Sequence, residues 1–144
     1  MRRTSIYLAF LLMTALQTVQ GQVRLNWSTF ERLKFEEVYV QEQAAWLQKP
    51  LWTEELREWD GKRVKVTGYV IALDAVSQEY ALSAFPFSSC FFCGNAGPES
   101  VLELRLAQEA TFLTDQVVTF EGTLRLNDDP LAFPLTLESA TEQP

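Results

Sequence analysis

Val64-Lys65-Val66-Thr67-Gly68-Tyr69-Val70 alternates apolar and polar side chains with a period of two, the pattern of a half-buried strand. It returns in register at Val118-Thr119-Phe120-Glu121-Gly122-Thr123-Leu124, again with a central glycine flanked two residues away on each side by apolar side chains. A glycine in mid-strand weakens a flat sheet but permits the bend or bulge that a closed barrel needs. The first of these strands is expected to run from Arg63 to about Asp74 and its echo from Gln116 to Leu126. Shorter strands are expected at 79–84, at 101–106, where Leu102, Leu104 and Leu106 share a face, and at 131–138 after the turn Asn127-Asp128-Asp129-Pro130. The class is mainly β: a small antiparallel OB-like barrel of about five strands over residues 51–144, with a cysteine-containing loop at 85–100.

Ahead of the first strand, Thr53 is placed to cap a short helix, Glu54 and Glu55 suit its first turn and Gly61 suits its end. Leu56 and Trp59, with Trp52 before the cap, would form its apolar face. Residues 22–50 mix helical spacing with β-branched and aromatic residues and are expected to form a helical arm that packs Trp27 and Trp46 onto the barrel. Residues 1–21 combine Arg2-Arg3, an apolar run from Ile6 to Leu16 and a small-ended Val19-Gln20-Gly21, the layout of a cleaved secretory signal. That run is too short to cross a bilayer, and no comparable stretch follows. The expected location is therefore the periplasm or the medium, with no transmembrane segment. Asn26-Trp27-Ser28 has the form of a glycosylation acceptor, a triplet common by chance.

The formal net charge is −7, and −9 once Arg2 and Arg3 leave with the signal. An acidic chain without basic tracts is poorly suited to a phosphate backbone, so nucleic acid is not an expected partner. Histidine is absent. This removes Ser-His-Asp and Cys-His nucleophile systems, His-based zinc hydrolysis and covalent haem attachment, which would need His at Gly94. No phosphate-cradling or dinucleotide glycine motif is present. Most familiar enzyme classes are thereby closed, although carboxylates remain as possible general acids or bases, and a non-enzymatic binding protein is the leading expectation.

Chemistry concentrates in Phe85-Pro86-Phe87-Ser88-Ser89-Cys90-Phe91-Phe92-Cys93-Gly94-Asn95-Ala96-Gly97-Pro98-Glu99-Ser100, which holds both cysteines. An exported pair can close as a local disulfide that stiffens the loop. Cys-x-x-Cys-Gly is also the turn that wraps a metal between two thiolates, with zinc or Cu(I) as candidates. Two thiolates are half a tetrahedral site, so Glu99, Asp74 or Glu103, or the same knuckle of a second subunit, would have to complete zinc. A thiol–disulfide redox pair is the third reading, opposed by Gly94, Gly97 and Pro98, which disfavour the helix such pairs normally begin. In the fourth, Phe85, Phe87, Phe91 and Phe92 form a docking patch.

Ser88-Ser89-Cys90-Phe91-Phe92-Cys93-Gly94 followed by Ala96-Gly97-Pro98-Glu99-Ser100 resembles the signature of an uncharacterised family of small exported bacterial proteins. The resemblance extends through Asp60-Gly61-Lys62, Gly68-Tyr69-Val70-Ile71 and Leu124-Arg125-Leu126-Asn127, from about Pro50 to Ala140. Some members are encoded beside ABC-transporter components linked to metals. The resemblance thus implies a metal-linked accessory role in the cell envelope, with transporter components as partners; a second copy of the chain is the partner that a shared four-thiolate site would require. The expected site is Cys90 and Cys93 as thiolate ligands, joined by Glu99.

Overall fold

The computed structural model describes residues 23–74 and 76–144, so the expected signal segment 1–21 lies outside the described residues. Alternation builds the first long barrel strand as expected. In β4 (Arg63–Asp74), Val64, Val66, Gly68 and Val70 are buried while Arg63 stays exposed. β5 (Glu79–Ser83), β6 (Val101–Leu106), β7 (Val117–Leu126) and β8 (Leu135–Gln143) complete the set. β4 pairs with β5, β5 with β6, β6 with β8, β8 with β7, and β7 returns to β4, which closes a five-stranded barrel of OB-like topology. The last strand begins at Leu135 rather than Leu131, because the turn continues through Pro134. One barrel seam is not antiparallel: β6 runs parallel to β8, since the chain crosses the barrel end through β7 before returning beside β6.

The two echoed segments lie against each other. Val64 is opposite Gly122, Val66 opposite Phe120 and Gly68 opposite Val118. A methyl group on Gly68 would sit 2.5 Å from the Ser83 carbonyl oxygen, and one on Gly122 would sit 2.7 Å from that of Glu138. At Tyr69 the strand is shared, paired with Val117 on one side and Ser83 on the other. Neighbouring backbone therefore crowds both glycines where the sheet curls.

The expected helical arm is mostly extended. β1 (Val23–Leu25) lies parallel to β4 at Val64–Val66, and β2 (Lys34–Val40) and β3 (Ala45–Leu51) form an antiparallel hairpin. Helical geometry is confined to 3-10 turns at Trp27–Thr29 and Gln41–Gln43. The β-branched and aromatic residues that blurred the helical period here prefer a pleated surface, and strand pairing decides the outcome. Trp27 does pack on the barrel, donating from Nε1 to the Thr67 carbonyl at 2.8 Å. Trp46 does not: it is 67% exposed and meets Tyr39, its cross-strand partner, edge to face. The short helix α1 (Glu54–Arg57) forms as expected, with the Leu56 amide donating to Thr53 Oγ1 at 3.2 Å. Leu56 is buried, Trp52 and Trp59 pack beside it, and Gly61 follows at φ +75°. Among the described residues no helix is long and apolar enough to cross a membrane.

Gly68→Ala is expected to lower stability by about 2–3 kcal/mol, because a backbone carbonyl cannot yield to the added methyl. Gly94→Ala, with φ +73° and nothing within 4 Å of the new Cβ, should lose only about 1 kcal/mol to backbone strain. Urea unfolding of both variants measures the difference. Equal losses would mean that Gly68 is not required for space.

Candidate functional site

The segment between β5 and β6 is a long excursion closed at its base by the Ala84 amide donating to the Ser100 carbonyl at 2.9 Å. Two prolines and two glycines rule out a continuous helix, and the chain folds instead into 3-10 turns at Phe87–Ser89, Phe91–Cys93 and Pro98–Ser100. The Phe87 amide donates to Asp115 Oδ1 at 2.7 Å, tying the loop to the β6–β7 connection. Asn95 Nδ2 donates to the Ser88 carbonyl at 3.1 Å, tying its two arms together.

This framework brings the cysteines onto one atom. The Cys90 thiol donates to the Phe87 carbonyl oxygen at 3.1 Å, and the Cys93 thiol donates to the same oxygen at 2.9 Å. Both are free thiols, but their surroundings differ. Cys90 is wholly buried with Ile71, Ala81 and Val101, and Phe133 packs against this small cluster. Cys93 is exposed. Reduced water contact raises the Cys93 pKa above its ordinary value, and the charge and hydrogen bonding of neighbouring Cys90 add to the shift.

The carboxylates considered as further ligands lie elsewhere. Glu99 folds back over Gly97, where its carboxylate would crowd an added Cβ, and lines a separate hollow with Trp27 and Phe85. Glu103 is bound to Arg105 at 3.1 Å and accepts from Thr136 Oγ1 at 2.9 Å. Asp74 accepts from the Val76 and Ser77 amides, and these bonds lower its pKa. Among the described residues no group of three or more His, Cys, Asp or Glu side chains is placed to hold a metal ion. The structure thus joins Cys90 to Cys93 and leaves Glu99 apart.

The four loop phenylalanines are all at the surface, with Phe85 and Phe87 46% exposed, Phe91 37% and Phe92 39%. Phe92 meets Phe91 and Phe133 edge to face, which links the outer aromatics to the cluster around Cys90. Beside Phe91 runs an apolar groove of about 390 Å³, walled by Phe35, Trp46, Pro50, Leu131 and Phe133. Sequence reading missed this groove because its walls come from three distant segments, and no local period marks it. Comparison with protein-family models, with curated proteins and with solved structures gives no match.

The raised Cys93 pKa has a definite sign. The folded thiol keeps its proton to higher pH than the unfolded one, so this contribution to stability is present below the ordinary cysteine range and is lost as pH rises above it. Alkylation rates measured against pH should place the Cys93 midpoint higher in the folded protein than in urea. A folded midpoint at or below about 8.5 would contradict this and favour a redox-active thiol.

Proposed function

We propose that the protein is an exported accessory protein of the cell envelope that binds a soft metal ion, Cu(I), between Cys90 and Cys93. The observation that carries this reading is the convergence of both thiols on the Phe87 carbonyl oxygen, at 3.1 and 2.9 Å, without a third acidic or thiol ligand among the described residues. Soft thiolates select Cu(I), which two sulfurs can satisfy. Zinc asks for four ligands and would need a second copy of the pair. The raised Cys93 pKa disfavours a redox nucleophile, which depends on a depressed one. A disulfide across so short a ring would add at most about 2 kcal/mol to a loop already tied by Asp115, Asn95 and Ser100. Export rests on the basic, apolar and small-ended layout of residues 1–21, and the link to metal handling rests also on the family resemblance.

Native mass spectrometry of reduced protein exposed to Cu(I) without added chelator tests the reading. The expected result is one copper per chain in the wild type and none in Cys90→Ser or Cys93→Ser, with all three folded. Cys93→Ser should leave stability nearly unchanged, and Cys90→Ser should cost about 1 kcal/mol, since its buried hydroxyl can still donate to Phe87. A mass lighter by two hydrogens with no metal would replace the proposal with a structural disulfide. A dimer holding one zinc would replace it with a shared four-thiolate site.

A further inference from the structure

We infer that the two cysteines have unequal tasks: Cys90 is the retained anchor and Cys93 the exchanged ligand, through which Cu(I) passes to a thiol-bearing acceptor. The inference rests on the Cu(I) reading and adds direction and a partner chemistry to it.

The asymmetry is built into the backbone. The Cys90 amide donates to the Phe87 carbonyl, and its own carbonyl accepts from the Cys93 and Asn95 amides at 3.2 and 3.4 Å. Its side chain has no surface and is packed among Ile71, Ala81 and Val101. An incoming sulfur can reach it only if that cluster opens. Cys93 closes an outer 3-10 turn and is followed by Gly94 at φ +73°. A Cβ built on Gly94 would meet no atom within 4 Å, so this flank of Cys93 is clear for approach. Residues 84–98 carry no charged side chain, so the loop itself presents apolar and aromatic groups around the approach. Exposed Phe91 and Phe92 are among these groups.

The exchange balances without a redox partner. The acceptor sulfur bonds to Cu(I), the bond from copper to Cys93 Sγ breaks, and Cys93 takes up the proton that the acceptor thiol releases. Copper stays Cu(I) throughout. A second acceptor thiol then displaces Cys90 Sγ, which takes up that thiol's proton, once the cluster around Cys90 opens.

Glutathione serves as the probe acceptor and the wild-type chain as the donor. In the reduced apoprotein, a maleimide should label Cys93 roughly a hundredfold faster than Cys90, because Cys90 reacts only through local opening. In the copper-loaded protein, a brief maleimide pulse after one equivalent of glutathione should label Cys93 while copper remains on the chain, with the site located by peptide mass spectrometry. Equal labelling in the apoprotein, or Cys90 labelled first in the loaded protein, overturns the assignment of tasks and leaves Cu(I) binding intact. A wild type that retains no Cu(I) overturns both.

Discussion

Closure of the barrel along β4 and β7 is the constraint from which the rest of the structure follows. Each strand contributes a glycine, and in the antiparallel register each glycine faces a valine, Gly68 against Val118 and Gly122 against Val64. The inner face is therefore thin at the two places where other strands press in, at the Ser83 and Glu138 carbonyls. The outer face is tied by polar pairs. Glu121 holds Arg63 at 2.9 Å and Lys65 at 3.7 Å, and the Thr67 and Thr119 hydroxyls bond at 2.8 Å. Glu121 is buried, and these polar pairs set the register while the apolar filling supplies most of the stability.

Closure also decides where the remaining chain can go. Once β4 turns from β7 toward β5 at Tyr69, its edge at Val64–Val66 would be open, and β1 occupies it. The chain then carries Trp27 over Gly68, where an added Cβ would lie 3.2 Å from the indole. Only Gly68 leaves room for the indole to reach the Thr67 carbonyl. β5 and β6 are held as barrel neighbours from Tyr80 to Ser83, so the long segment joining them has fixed ends. Fixed ends let a loop of short turns hold two thiols on one carbonyl, a precision that a freely moving connection lacks.

Most of the fold was legible because period-two alternation and turn residues are local signals. The strands at 63–74, 79–83, 101–106 and 117–126 stand where alternation placed them, and Thr53 caps its helix. The arm at 22–50 was misread because Trp27, Phe30 and Leu33 share a helical spacing that the structure satisfies with a 3-10 turn and irregular chain. The parallel β6–β8 seam could not be read locally, since it depends on where β8 lies in three dimensions. At the site, Cys-x-x-Cys-Gly marked the right loop, but sequence spacing does not show which thiol is buried. That follows from the contact of Cys90 with Ile71 and Ala81, residues of two strands remote from it in the chain. Glu99 lies close in sequence yet is turned over Gly97 toward Trp27, because the last 3-10 turn reverses its direction.

The surroundings of Cys93 are poorly suited to a free thiolate. No charged side chain lies between Ala84 and Pro98, and the carboxylate bonded to the Phe87 amide, Asp115, is negative. No helix N-terminus is present to favour negative charge, because the turns here are three-residue 3-10 segments. Losing a proton from Cys93 would place negative charge beside the Phe87 carbonyl oxygen and next to Cys90, which accords with the upward shift of its pKa. A bound metal ion changes this balance, because it supplies positive charge at the point where the protons leave. Under the Cu(I) proposal, the pair rests as two free thiols and becomes a site only when the cation replaces their protons.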